Sequence, residues 1–278
     1  MVDDPRNDVF ILFDKKTHVP DEVLRDIAAQ ARESRVEFLK PMVVNWGAYS
    51  LVEAEVRLIE AACKADDYGY LHLFQGVDLP IKTQDHIHRF FDEHQGTEFV
   101  NIGFDDHRWF RKCRYHNFFA QNRFYRHNIF LKLLNYGVVY TERALHISVN
   151  KDITLYHGSG LFSITGEFAR YVVDHKDEIK RRYKYSLAAD DVFVHTLLMA
   201  SPFKGRLLYL DEANTSNARL IDRTLPHKRN SPHVWELSDK DIILNQPEHM
   251  CFSRKFSEEH MDMVKFMEQT YSANKNLL

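Results

Sequence analysis

The chain has 278 residues, 44% hydrophobic and 28% charged, with 37 Lys and Arg against 40 Asp and Glu. That length fits one large domain with a sizeable core, and a formal net charge of −3 leaves no basic excess for sequence-independent phosphate binding, which excludes nucleic acid as a partner. Apolar runs such as 9–13 and 207–210 are far shorter than the roughly 18 residues of a membrane-spanning helix, and residues 1–7 show neither the basic nor the apolar region of a secretory signal.

Strand-like and helix-like stretches alternate, with only ten Gly and eight Pro and no linker or repeat, which predicts an α/β fold in a single domain, residues 1–278. The continuous apolar run Val9 to Phe13 predicts a strand covered on both faces. A helix follows from about Asp21, with Leu24, Ile27, Ala28 and Ala31 on one face. Ser50 opens the next helix, with Glu53 completing a capping box and Val52, Val56, Ile59 and Cys63 forming one apolar stripe. Tyr70 to Phe74 reads as a buried strand, broken by the loop Gln75 to Pro80. Then come a helix (Gln84 to His94), a strand (Phe99 to Ile102) and a long helix from about Asn122 to Tyr136, ending at Gly137. Further strands are predicted at Leu161 to Ile164, Leu207 to Leu210 and Leu220 to Asp222. Helices are predicted at Glu167 to His175, Val192 to Met199 and Glu258 to Tyr271, with Thr165 and Ser257 as N-caps of the first and last.

Three cysteines, Cys63, Cys113 and Cys251, are odd in number and widely spaced, so no disulfide framework is implied and a reducing, cytoplasmic compartment is expected. The sixteen histidines show no HExxH and no paired zinc spacing, and His86 and His88, two apart on a helix, do not face each other. No metal site is expected from them. The acidic pairs Asp66-Asp67, Asp105-Asp106 and Asp190-Asp191 suit solvated turns or helix starts. Asp190-Asp191 differs in leading directly into an apolar segment, a junction where a base can be held rigidly at a cleft edge. Arg254-Lys255, framed by Phe252 and Phe256, suits either snorkelling from a buried segment or a grip on phosphate. GxGxxG and Walker loops are absent, and His157-Gly158-Ser159-Gly160 lacks the spacing of a hydrolase elbow.

Taken in order, these segments resemble the core-2/I-branching β-1,6-N-acetylglucosaminyltransferases and peptide xylosyltransferases, glycosyltransferase family 14, most closely the bacterial members. Phe13-Asp14-Lys15-Lys16 resembles the family's His-Val-Asp-Lys-Lys, and Trp46-Gly47-Ala48-Tyr49-Ser50 its Trp-Gly-Gly-x-Ser. Gln75-Gly76-Val77-Asp78-Leu79-Pro80-Ile81-Lys82 is similar to Ser-Gly-Gln-Asp-Tyr-Pro-Ile-Lys. Gly158-Ser159 with Phe162 is similar to Gly-Ser-x-Trp-Phe, and Asp190-Asp191 falls at the family's Asp-Glu. Arg219-Leu220-Ile221-Asp222 resembles Arg-Tyr-Ile-Asp-Trp, and Ser253-Arg254-Lys255-Phe256-Ser257 resembles Ala-Arg-Lys-Phe-Asp.

The resemblance implies a GT-A fold, a Rossmann-like sheet flanked by helices that binds a UDP-sugar, and inversion at the anomeric carbon without a divalent metal or other cofactor. By the same resemblance Asp14 and Trp46 would hold the nucleoside, Asp191 would be the general base, and Arg219 and Lys255 would bind the diphosphate, with Arg223 and Arg254 as further candidates there. Gln75, Gly76, Asp78, Ser159 and Asp190 would line the sugar pocket. GlcNAc is the first expectation for the sugar and xylose the second, with a glycan or glycolipid hydroxyl as acceptor.

Departures from the pattern are Asp191 for the catalytic Glu, Leu161 for Trp, Gln75 for Ser and Arg223 for the Trp after Ile-Asp. The family's first strand and helix have no counterpart before Val9, so the chain is expected to be N-terminally incomplete relative to the family. The basic-aromatic stretch Arg108 to Arg126, with Trp109, Phe110, Tyr115, Phe118 and Phe119, reads as an acceptor-side loop or as peripheral contact with the inner face of a membrane. A catalytically weak UDP- or glycan-binding module is the alternative to an enzyme, and a metal-dependent hydrolase built on the histidines is a third reading.

Overall fold

A computed structural model describes residues 1–103, 107–208, 216–226 and 231–272, except the side chains of 107–110. The Asp105-Asp106 pair, Tyr209-Leu210 at the end of the strand expected from Leu207, and the side chains of Arg108, Trp109 and Phe110 therefore lie outside the described residues.

The fold is mixed α/β, with the strands in three small sheets. β1 (Asp8–Asp14) runs parallel to β2 (Arg35–Met42), joined by α1 (Asp21–Gln30). β1 is half-buried along its length rather than covered on both faces, because α1 buries none of its residues against it. α2 (Tyr49–Ala65) buries Val52, Val56 and Ile59 as the apolar spacing requires. Its expected capping box is absent: the N-cap is Ala48, the Ser50 hydroxyl accepts from Asn45 N at 2.8 Å, and Glu53 pairs with Arg57 at 2.6 Å.

β3 (Tyr70–His72) pairs antiparallel with β5 (Ser163–Thr165), and β4 (Asp78–Pro80) antiparallel with β7 (Phe252–Arg254), which lies parallel to β6 (Arg219–Ile221). The segment expected as a strand at 99–102 forms isolated bridges instead, Phe99 with Ser163 and Glu98 with Leu207. β2 and β7 have no counterpart in the sequence reading; β2 interleaves Arg35, Glu37 and Lys40 with its apolar residues and its pairing with β1 defines it.

The remaining helices are α3 (Gln84–Glu93), α4 (His107–Arg114), α5 (Ile129–Ala144), α6 (Gly166–Asp174), α7 (Lys176–Tyr183), α8 (Phe193–Ala200), α9 (Lys240–Leu244) and α10 (Met261–Ser272). Thr165 caps α6, its hydroxyl accepting from Phe168 N at 3.1 Å, whereas Ser257 caps a short 3-10 turn before α10. α5 starts seven residues later than expected: Asn128, not Asn122, accepts the first-turn N–H, and short 3-10 turns at Phe118–Gln121 and Tyr125–His127 precede it. It then runs through Gly137, a cost of only about 1 kcal/mol.

The main core packs α2, α6 and α8 around Val100, Ile102, Phe162 and Ile164. Smaller clusters sit under Trp235 and around Phe91, Phe99 and Phe252. Among the described residues no helix is long and apolar enough to cross a membrane.

Candidate active site

Asp191 ends a 3-10 turn (Ala189–Asp191) directly before α8. α8 is anchored because Phe193, Val194 and Leu198 are buried, and Thr196 both accepts from Tyr156 N and donates to its carbonyl. That contact brings segment 156–160 alongside the turn. Gly158 N donates to the Asp191 carbonyl, and Gly160 N to Asp191 Oδ1, both at 3.0 Å. Ser159 N donates to Asn101 Oδ1 at 2.7 Å. Only glycine fits at 158, where a Cβ would stand 2.0 Å from the Asn101 carbonyl oxygen.

Burial pushes Asp191 above its usual value, although the Gly160 N–H and the charges of Lys112, Arg223 and Arg254 pull the other way. Burial and then the Asp191 charge push Asp190 up to about 7. Behind the pair, Glu55 of α2 is buried; desolvation, followed by the charges of Asp190 and Asp191, raises it well above the normal carboxyl range. Glu55 Oε2 and Asp190 Oδ1 have no hydrogen-bond partner among the described residues. The sequence reading missed Glu55, though its place on the Val52–Val56–Ile59 stripe was a signal. It also missed Asn101, whose Oδ1 accepts from Ser159 N, and Gly160, whose N–H reaches Asp191 Oδ1, because neither contact follows from a motif.

The pairing of β4 with β7 sets Asp78 opposite Arg254. Arg254 Nε lies 3.2 Å from Asp78 Oδ1, its Nη2 donates to Gln75 Oε1 at 2.8 Å, and Gln75 N donates to Asp78 Oδ2 at 2.7 Å. Burial raises Asp78, against the attraction of Arg254. Gly76, in the same loop, is exposed with open space around it. Lys255 is half-buried and Arg223 exposed, and neither side chain forms an ion pair among the described residues.

Arg219 behaves differently. It is buried, and its guanidinium donates to the carbonyls of Asn217, Leu73 and Phe162 and to the Ser163 hydroxyl, at 2.6–3.1 Å. The Phe252 ring lies 5.0 Å from its charge centre, and burial lowers its pKa to about 10. Arg219, expected on the diphosphate, has both terminal guanidinium nitrogens engaged within the core, where they join three strand ends.

The turn before Asp191 also reaches the Trp46 loop. Ala188 N donates to the Gly47 carbonyl at 2.7 Å, with both residues in the left-handed region at φ 51° and 70°. Trp46 is 59% exposed, with Arg126 5.1 Å from its ring centroid. Asp14, at the end of β1, accepts from the amides of Lys16 and Val44. Partial burial raises it, but those amides and the Lys16 ammonium outweigh this and hold it below the usual range. Among the described residues no three His, Cys, Asp or Glu side chains converge on a metal position.

The structure thus gathers Asp190, Asp191, Ser159 and Gly160, with Arg223 and Arg254 within electrostatic reach, and ties Trp46 to them through the backbone. This is a carboxylate able to accept a proton beside cations able to meet a leaving anion. No curated protein matches the chain. The family model described as Core-2/I-Branching enzyme matches residues 1–225 of the 278. The chain therefore belongs to the core-2/I-branching enzyme family and is a glycosyltransferase.

Proposed function

We propose that the protein inverts the anomeric centre while moving a sugar, GlcNAc first and xylose second, from UDP to a hydroxyl of a glycan or glycolipid, without a divalent metal. The observation that carries this reading is the Asp191 carboxylate, fixed by Gly160 N at 3.0 Å and under the field of Arg223 and Arg254. Asp191 accepts the proton as the acceptor oxygen bonds to the anomeric carbon from the face opposite the departing UDP, a role worth roughly 10²–10⁴ in rate. The negative charge that builds on the diphosphate is met by Arg223, Arg254 and Lys255. One cation ~4 Å away at an effective dielectric of ~20 contributes ~4 kcal/mol, and the part expressed only in the transition state raises the rate.

Trp46 and Asp14 receive the nucleoside, the open indole offering a stacking face beside the β1 end. Gln75, Gly76, Asp78, Ser159 and Asp190 line the sugar side. Arg219 enters as a positioning residue that holds β6 against the loop carrying Gln75.

The test is a thermal shift with UDP, UDP-GlcNAc and UDP-xylose in excess EDTA, followed by transfer assays of Asp191→Asn. Ligand at ~100 times its Kd stabilises by ~2.7 kcal/mol. The expected result is a shift in chelator with the largest response to one sugar, and a variant that binds UDP but transfers nothing. An Asp191→Asn chain that transfers normally overturns the assignment.

A further inference from the structure

α5 is apolar around most of its circumference, and it turns one broad apolar face outward. Of its sixteen residues only Asn135 is buried, donating to Asn117 Oδ1 at 2.8 Å, and its principal packing partners are the two short 3-10 turns before it. Ile129, Phe130, Leu133, Leu134, Tyr136 and Tyr140 are exposed by 53–72%. At 3.6 residues per turn these six span one continuous face of about 160°, with only Gly137, Thr141 and Ala144 between them and no charge. An exposed apolar surface of this breadth marks an interaction site.

Charge identifies what covers it. Residues 118–147 carry Arg123, Arg126, Lys132 and Arg143 against a single carboxylate, Glu142, in a chain that is acidic overall. Glu142 is turned inward, accepting from His116 N at 2.9 Å and contacting its ring at 2.6 Å. Lys132 and Arg143 flank one side of the apolar stripe, and Arg123 sits 4.4 Å from the Phe124 ring at its N-terminal end. A second copy of this chain docked on the same face would set cations against cations, whereas an anionic lipid surface satisfies both the apolar face and its basic margin.

Of the basic stretch expected at 108–126, the C-terminal part with Arg123 and Arg126 borders this face. Arg114 is spent on the carbonyls of Asn150 and Ile153, and Lys112 acts on the Asp190-Asp191 pair. The apolar face itself starts at Ile129, just past that stretch. It also adjoins the active site: Gln121 accepts from Tyr49 N at 2.8 Å, and its carbonyl accepts from Asn45 at 3.1 Å, gripping the Trp46 loop.

We propose that α5 lies flat on a bilayer rich in anionic headgroups, with its apolar face in the acyl boundary, and that this presents the site to a lipid-carried acceptor. The acceptor part rests on the transferase reading; the docking does not. The test is sedimentation of the whole chain with vesicles of phosphatidylcholine alone or with about one-third phosphatidylglycerol. The expected result is partition onto the anionic vesicles only, weakening as salt rises. Each reversed cation should cost at least about fivefold, so Arg123→Glu with Arg143→Glu loses more than tenfold. Phe130→Asp with Leu133→Asp loses as much. Equal binding to both vesicle types, or variants that partition like the parent, overturns the proposal. So does a dimer in sedimentation velocity that Phe130→Asp with Leu133→Asp converts to monomer. UDP thermal shifts on the same samples separate the questions: variants that keep the shift are folded, and vesicle binding without any UDP shift defeats the UDP-donor reading alone.

Discussion

Gly160 N donates to Asp191 Oδ1 at 3.0 Å, and a Cβ on Gly160 would stand 3.2 Å from that same oxygen. The residue that orients the carboxylate is thus also the one whose side chain would displace it. Gly160→Ala is expected to move the carboxylate by a few tenths of an ångström and lower kcat by about tenfold. Melting temperature and UDP binding should stay as in the parent, and an unchanged kcat would show that the contact does not position Asp191.

Arg223 is exposed, unpaired among the described residues, and one of the cations that oppose the burial-driven rise of Asp191. Removing a cation lets the carboxylate hold its proton to higher pH. For Arg223→Gln the acid limb of kcat/KM should therefore move upward, with UDP binding weakened several-fold. A limb that stays in place while affinity falls would separate the diphosphate role from any effect on the base.

Arg219 should answer in the opposite way. Arg219→Gln strips donors from buried carbonyls, each worth about 1–3 kcal/mol when left unsatisfied, so chemical denaturation should show a loss of several kcal/mol. In the fraction that remains folded, UDP affinity should change less than in Arg223→Gln. A fully stable variant with abolished UDP binding would return Arg219 to the diphosphate.

Glu55 links the site to pH-dependent stability. Its folded pKa lies well above the ordinary 4.5, so the native state holds a proton that the unfolded chain releases. The resulting penalty is absent below the ordinary 4.5 and grows as pH rises from there toward the folded pKa, by at most ~1.4 kcal/mol per pH unit. Glu55→Gln abolishes this component, so its stability relative to the parent should increase as pH rises above the ordinary 4.5. His72 and His195, both pushed down to about 3 by burial, act in the other direction below 6.5 but cancel in this comparison. A difference constant with pH would mean that Glu55 is already ionised in the native protein.

The amino-acid sequence by itself determined what local spacing encodes. Four-three periodicity placed α2, Thr165 marked the start of α6, and Asp190-Asp191 lay at the entry to α8. Ordered short segments were enough to point to the family. What chain-distant partners decide was not legible. β2 and β7 are strands because β1 and β4 pair with them, and a run like Arg35–Met42 carries no period of its own. Arg219 reads in a linear motif as a free cation, yet carbonyls from residues 73 and 162 converge on it and take its donors. The stripe of α5 would suit a core helix. Only the tertiary structure shows that Asn135 faces inward and the apolar face outward, because periodicity defines two faces of a helix without saying which one the rest of the chain covers.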